Sequence, residues 1–515
     1  MADTLGETLL QQAQQYPDKV FLFFGDHALT FREYAEACGR LAAGLQQRGI
    51  GRGDHIAAAL PNRPELAIIY GAAGLLGAVV TPFNPTFTSR EMTTVVGDAE
   101  AKVLFAIPQV AQMALQAKDR LPFLQQIIAV GDVPSGALGW ETLLSAEPLQ
   151  RCLAKPDDPL MILYTSGTTG RPKGTILSNF SMLRTAQALV EVMQTGHLDR
   201  SVNLLPFYHV FAITVDFLHM LLAGGSVVLR EQFHPREVLR DMDRYAATFV
   251  CGVPSMYIVL NEQLRSMRMG LLNLRMGVIG GAPVPVEVMQ EFEAKTGCVL
   301  IEGYGQTEMA PIASLQPPDP KRRKLGTAGQ PLPGSMLKIL DPTTGEELPP
   351  NTPGEICVRG FNRMQGYWKM PEATAEALKD GWLHSGDIGV MDEDGCVTIV
   401  DRLKDMIIYS GYNIYPKEIE NILYGDPAVA ECVVAGIPDP VKGEVPYAFV
   451  RLAPGKQTDK QRLLARCRQY LAPYKIPREI VFVQDLPRTS TGKIVRDQLR
   501  VEYAHQKVHA DAGQG

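Results

Sequence analysis

Apolar residues recur every three to four positions in Leu5–Gln15 and again in Phe31–Arg48, with polar residues between them, the spacing of helices that bury one face. Short β-type runs then alternate with helical patterns. His55–Leu60 precedes a helical Glu65–Gly77, Val79–Thr81 precedes a polar helical Ser89–Gly97, and Val103–Ala106 closes the series. Strand, helix and strand in that order predict β-α-β crossovers and a largely parallel sheet, and the same alternation returns from Ser201 to Ile301. Gln316–Lys324 lacks apolar residues and reads as an exposed loop, while Gly326–Val400, dense in Pro, Gly and short β-rich runs, reads as antiparallel. From Asp401 the pattern turns to compact α+β: Glu418–Tyr424 and Asp459–Leu471 are helical, and Val429–Ala435, Ala448–Leu452 and Glu479–Val483 are strand-like. His505–Gly515 is a small polar tail, expected to fray.

A chain of 515 residues is long enough for about three domains, and 46% hydrophobic with 21% charged residues supplies a sizeable core. With 50 Lys+Arg against 56 Asp+Glu the net charge is −6, so no whole-molecule positive field collects nucleic acid or acidic membrane, and any anion must be bound locally. The eight cysteines form no Cys-x-x-Cys pair, which argues against a zinc cluster or disulfide framework and for a reducing cytoplasm. Asp3 and Glu7 precede any basic residue, so no secretory signal is expected. Leu66–Val80 is too short and Gly-rich to span a membrane, and Val210–Leu229 contains Asp216, His219 and Gly224-Gly225; both read as buried elements.

Chemistry concentrates first in Leu163-Tyr164-Thr165-Ser166-Gly167-Thr168-Thr169-Gly170-Arg171-Pro172-Lys173-Gly174, behind the apolar run Leu160–Leu163. Glycines let backbone N–H groups converge on an anion, the hydroxyls add donors, and Lys173 adds a point charge, so the loop binds phosphate. It is no Walker loop, since Pro172 stands where that pattern needs Gly and Gly174 where it needs a hydroxyl. Further along, Glu308 beside the Thr307 hydroxyl is the hard-oxygen pairing that Mg²⁺ prefers, although a single acidic loop residue is usually only solvated. Tyr304, between Gly303 and Gly305, suits stacking on a purine. Asp387 after Ser385-Gly386 reads as a tight turn whose carboxylate could take both ribose hydroxyls, or serve as a helix cap or Asx turn. Arg402 could reach ribose or phosphate, or form a salt bridge between domains; His209 alone would be a buried, satisfied histidine, and Lys493 alone a solubilising lysine.

The phosphate loop is followed in order by Phe207-Tyr208-His209-Val210, Gly280-Gly281-Ala282-Pro283, Gly303-Tyr304-Gly305-Gln306-Thr307-Glu308, Ser385-Gly386-Asp387, Asp401-Arg402-Leu403-Lys404-Asp405, Gly411-Tyr412-Asn413-Ile414-Tyr415-Pro416-Lys417-Glu418-Ile419-Glu420 and Pro487-Arg488-Thr489-Ser490-Thr491-Gly492-Lys493. This series resembles the adenylate-forming superfamily of acyl-CoA synthetases, adenylation domains and luciferases. The resemblance implies an α/β fold with a large N-terminal AMP-binding domain at 1–400, made of two sheet-containing subdomains and a β-rich third. A hinge at 401–405, a small mobile C-terminal α+β domain at 406–504 and the tail at 505–515 complete it.

The same resemblance implies residue roles. Thr165, Ser166, Gly167, Thr168, Thr169 and Lys173 cradle the ATP phosphates; Thr307 contacts the α-phosphate and Glu308 the metal. Gly281, Ala282, Pro283, Gly303, Tyr304 and Gly305 hold the adenine, Asp387 the ribose and Arg402 the ribose or phosphate, and His209 lies beside the acyl carboxylate. Lys493 neutralises the charge that builds when carboxylate meets α-phosphate. Lys404 is the hinge, about which the small domain exchanges Lys493 for a face with Gly411, where the coenzyme A thiol enters. The implied reaction is fatty-acid–CoA ligation with ATP, Mg²⁺ and coenzyme A. Phe211, Ile213, Val278, Met309 and Ile312 point to an apolar medium- or long-chain acid, with an aryl or hydroxycinnamic acid as alternative. Loading of a separate carrier protein stays open, as does a homodimer. Ile408 stands where some luciferase-like relatives carry a second lysine, which counts against oxidation, and a non-catalytic scaffold would be expected to have lost Lys493, Glu308 or Asp387.

Overall fold

The computed structural model describes every residue except 1–2, 146, 166–171, 268–270, 283, 411, 440, 488–493, 497, 502 and 504–515. It is α/β, and the chain divides into two compact units: Met1–Leu337, Cys357–Ser385 and Asp394–Val397 form the first, and Lys338–Ile356, Gly386–Glu393 and Thr398–Gly515 the second.

Two mixed sheets build the first unit. In one, the strands run in the order Gln330–Pro331, Ser314–Leu315, Val299–Tyr304, Met276–Gly280, Phe249–Gly252, Arg200–Asn203, Ser226–Leu229, Val20–Phe24 and His27–Thr30. The pairs from Val299–Tyr304 through Val20–Phe24 are parallel, and only the outermost strands are antiparallel. The other sheet runs Gly366–Tyr367, Lys173–Ser178, Pro159–Thr165, Val79–Pro82, His55–Ala59, Val103–Ala106, Gln126–Ala129 and Leu138–Gly139. It is parallel except where Pro159–Thr165 turns back on Lys173–Ser178 and the latter meets Gly366–Tyr367. The expectation of largely parallel sheets therefore holds, with antiparallel pairs at both edges of the first sheet and at one edge of the second.

The helices begin where local chemistry directs. Thr30 with Glu33 and Thr88 with Glu91 form reciprocal capping boxes at Phe31–Gln47 and Ser89–Asp98, each cap worth about 1 kcal/mol. Pro64–Leu76 is apolar on all sides and buried from Leu66 to Leu76, so the apolar run is a core helix. Gly74 faces Leu5 so closely that a Cβ there would lie 2.8 Å from Leu5 Cγ. Among the described residues no helix is long and apolar enough to cross a membrane.

Two expectations need correction. Asp387 lies within the long strand Trp382–Met391 rather than in a turn, with Gly386 at φ +67° supplying the irregularity. Gln316–Lys324 is a loop, but Gln316 is buried and bonds its own loop at Lys324 O and Thr327 O, and Arg323 is pinned to Glu293. Val210–Leu229 is interior, as expected, and is built from a π-helix at Ala212–Leu218, a short helix at His219–Ala223 and the strand Ser226–Leu229.

The second unit contains the sheet Tyr412–Ile414, Ile407–Tyr409, Gly443–Leu452 and Val429–Asp439, with Glu479–Phe482 parallel to Gly443–Leu452. Helices Pro416–Tyr424 and Lys460–Tyr470 supply Ile419, Leu423, Leu463 and Cys467 to a core shared with Ile407, Val434 and Ile480.

Candidate active site

In an open parallel sheet, ligands bind beyond the carboxyl ends of the strands. Three strands of the first sheet end in candidate residues. Arg200–Asn203 leads to His209; Met276–Gly280 to Gly281 and Ala282, both exposed; and Val299–Tyr304 ends in Gly303 and Tyr304, followed by Gly305, Thr307 and Glu308. Glycine is required by contact here: a Cβ on Gly280 would lie 2.6 Å from Gly303 O, and one on Gly305 would overlap the Pro311 carbonyl. Gly281 adopts φ +78°, open to glycine at no steric cost.

Thr307 and Glu308 form a short 3-10 turn, Thr307–Met309, and both are half-buried. Glu308 O accepts from Met364 N at 2.8 Å, and Glu308 Oε1 accepts from the Tyr367 hydroxyl at 3.0 Å. Tyr367 belongs to the edge strand beside Lys173–Ser178, and Lys173 Nζ sits 4.8 Å from its ring centroid. Thr165 pairs with Lys173, so the two strands flank in sequence the loop expected to bind phosphate. One tyrosine thus joins the Lys173 side of the site to the Glu308 side. Burial, with Glu308 beside it, pushes the Tyr367 phenol well above its ordinary range, which keeps it a donor. Sequence reasoning missed Tyr367: its role comes from pairing across distant segments, and Gly366-Tyr367-Trp368 carries no local signal.

His209 differs from the buried histidine expected of an isolated residue: the residue is exposed. Surrounding protein nevertheless desolvates it enough to lower its pKa, so it is neutral at pH 7. Nδ1 accepts from Phe211 N at 3.2 Å, which places the proton on Nε2. The widened π-helical turns that follow at Ala212–Leu218 are of a kind frequent at functional sites. Phe211, Ile213, Val278, Met309 and Ile312 are all buried, and the Phe211 ring approaches Gly280.

In the second unit, Asp387 is buried and pairs with Arg402, Nε to Oδ1 at 3.2 Å. The Gly386 N–H donates to Glu355 Oε1 at 2.9 Å. Arg402 ends the strand Val397–Arg402, and exposed Lys404 sits in the following 3-10 turn, Leu403–Asp405. Asp405 is held by Arg496 at 2.8 Å, whose other terminal nitrogen reaches Glu420 at 2.8 Å. Ser166, Gly167, Thr168, Thr169, Pro283, Gly411 and Lys493 lie outside the described residues.

Residues 9–368 match the AMP-binding enzyme family, and residues 418–493 match the AMP-binding enzyme C-terminal domain. The chain belongs to this family. Across it, a feruloyl-CoA synthase of an Amycolatopsis species is 38% identical over 497 residues, covering 96% of this chain and 98% of the relative. A long-chain-fatty-acid–CoA ligase of Bacillus subtilis is 34% identical over 529 residues, covering 97% and 94%. The ATP-bound structure of MatB from Rhodopseudomonas palustris superimposes with a TM-score of 0.89 at 32% identity, covering 98% of this chain and 99% of that one. These relationships make this AMP-binding enzyme an AMP-forming acid–CoA ligase that uses ATP and coenzyme A, and they leave its acid undecided.

Proposed function

We propose that the enzyme activates an apolar carboxylic acid, a medium- or long-chain fatty acid, as its acyl-adenylate and then transfers the acyl group to coenzyme A. The observation that carries this reading is the convergence of His209, Gly281, Tyr304, Thr307 and Glu308 at the carboxyl ends of parallel strands, with Tyr367 linking Glu308 to Lys173.

A carboxylate is a poor nucleophile toward a polyanionic nucleotide, so the site must offset charge before it can position atoms. Lys173 and the loop hydroxyls Thr165, Ser166, Thr168 and Thr169 face the phosphates, Gly167 allows backbone approach, and Thr307 donates to the α-phosphate. Tyr304, with Gly303, Gly305, Gly281, Ala282 and Pro283, holds the adenine, and Asp387 with Arg402 the ribose. Mg²⁺ would fit at Glu308: among the described residues only Tyr367 bonds that carboxylate, through Oε1, which leaves Oε2 as a hard oxygen on the residue next to Thr307. When bound, the ion supplies positive charge against the phosphates. Neutral His209 can donate from Nε2 to the acyl carboxylate without changing charge. Lys493 takes the charge that develops as the carboxylate oxygen bonds to the α-phosphorus and pyrophosphate leaves. In the second step the thiol, entering beside Gly411, displaces AMP. Lys404 is the hinge between the domains at 1–400 and 406–504, which alternate the two half-reactions.

Phe211, Ile213, Val278, Met309 and Ile312 offer no cation for a second carboxylate and no anion for an amino group, hence an apolar acid. The feruloyl-CoA synthase relative favours a hydroxycinnamic acid as second reading. Pyrophosphate release over fatty, aromatic and amino acids, with and without coenzyme A, decides between them. The fatty acids should give the highest kcat/KM and a coenzyme A thioester; preference for a polar amino acid, or no thioester with free coenzyme A, would overturn the proposal.

A further inference from the structure

A chain of buried amides runs from the interior to the turn that carries His209. Asp216, fully buried on the π-helix, accepts from the Ser201 hydroxyl and from Asn203 Nδ2 at 2.7 Å. That bond fixes which way the Asn203 amide points, so its Oδ1 faces Asn62 and accepts from Asn62 Nδ2 at 2.8 Å. The same Asn62 Nδ2 donates to Leu205 O at 2.8 Å, and Asn62 Oδ1 accepts from Phe207 N at 2.7 Å. Both donor hydrogens and the acceptor of Asn62 are therefore used, on a side chain only 6% exposed. Its contacts straddle Pro206, whose carbonyl accepts from His209 N at 3.0 Å.

Asn62 belongs to neither the His209 segment nor its sheet. It follows the strand His55–Ala59 of the second sheet and precedes the helix Pro64–Leu76. From that helix Tyr70 adds a hydrogen bond to Phe207 O at 2.7 Å. The turn between the Arg200–Asn203 strand and the π-helix is thus held from outside, by the loop and helix that follow a strand of the other sheet, at three backbone groups within four residues of His209.

We infer that Asn62 is a positioning residue for the acid site: it sets the backbone of Leu205 and Phe207, and through them the place of His209. The inference rests on the reading of His209 as the neighbour of the acyl carboxylate. A carboxylate at position 62 keeps the size and the acceptor for Phe207 N but opposes two acceptors, Asn203 Oδ1 and Leu205 O, so the turn must shift. A residue needed only for folding would lower the active fraction and so kcat, leaving both KM values alone. A residue that positions His209 instead moves the kinetics of the acid and spares those of ATP.

The test is acid-dependent pyrophosphate release by the full-length enzyme for wild type, Asn62→Asp, His209→Ala and the double variant, with melting curves for each. Asn62→Asp should lower kcat/KM for the acid about tenfold or more, with KM for ATP within twofold of wild type. In the His209→Ala background the same change should add less than threefold. If Asn62→Asp does not fold, Asn62→Ser, which removes the amide in a smaller step, should show the same selective loss at lower amplitude. Unchanged acid kinetics in the folded Asn62 variants, equal loss for acid and ATP, or full additivity with His209→Ala overturns the inference while leaving His209 in its role. A His209→Ala enzyme with wild-type acid kinetics overturns the His209 reading itself, and with it this assignment.

Discussion

The Tyr367 hydroxyl donates to Glu308 Oε1 at 3.0 Å, joining the edge strand paired with Lys173–Ser178 to the turn that leaves the first sheet. The bond fixes one carboxylate oxygen and so the direction in which the other can face a cation. Replacing Tyr367 with Phe keeps the ring under Lys173 and removes only the hydroxyl. Loss of a hydrogen bond to a charged group should then cost about 1.5 kcal/mol, roughly a tenfold fall in acyl-adenylate formation, with a higher Mg²⁺ concentration needed for half-maximal rate. Glu308→Gln should shift the Mg²⁺ dependence further. Pyrophosphate release titrated with Mg²⁺ checks both, and a Tyr367→Phe enzyme with the wild-type Mg²⁺ curve would refute the link.

Burial raises the Asp216 pKa from 3.8 to about 6, despite the bonds from Ser201 and Asn203. The folded state therefore binds more protons than the unfolded state between those values, and the carboxylate's contribution to stability falls as pH rises through that window. About two units correspond to roughly 3 kcal/mol lost by pH 7. His219, lowered by burial from 6.5 to about 4, works in the opposite sense, since there the unfolded state binds more protons and stability rises with pH. Asp216→Asn removes only the first effect. Its stability relative to wild type should climb from pH 4 to 6 and then level, as read from urea midpoints across pH. A pH-independent difference would show that Asp216 does not titrate in that window.

Much of the scaffold is legible in the sequence because its determinants are local. Thr30-x-x-Glu33 and Thr88-x-x-Glu91 announce helix starts, and the all-apolar Leu66–Leu76 announces a buried helix. Gly303-Tyr304-Gly305 and Thr307-Glu308 likewise fall where a strand ends, as a parallel sheet requires of a binding loop. What escapes is set by partners far along the chain. Tyr367 is 59 residues from Glu308, and Asn62 is 145 from Phe207, so neither segment signals its role. Asp387 reads as a turn residue because Ser-Gly-Asp favours turns, yet strand pairing overrides that preference.

Lys404 lies exposed in a single 3-10 turn between the strand Val397–Arg402 and Asp405, which Arg496 anchors. Proline at 404 fixes its φ near −65° and restricts Leu403. Lys404→Pro should retain at least part of the adenylation rate and lose most of the thioester-forming rate, whereas Lys493→Ala should show the reverse, with adenylation down by several orders of magnitude. Pyrophosphate exchange and thioester formation from supplied acyl-adenylate, measured on the same preparations with circular dichroism to confirm folding, separate the two. Wild-type thioester formation in Lys404→Pro would rule out the hinge.

In the proposed reaction the acid's own carboxylate oxygen attacks the α-phosphorus of ATP. Supplying a fatty acid labelled with ¹⁸O in both carboxylate oxygens, with ATP and coenzyme A, and weighing the products by mass spectrometry tests it directly. An acyl-adenylate route leaves one labelled oxygen in AMP and none in pyrophosphate, because the thiol then breaks the bond between the acyl carbon and that oxygen. Unlabelled AMP, or label appearing in inorganic phosphate alongside ADP, would contradict it.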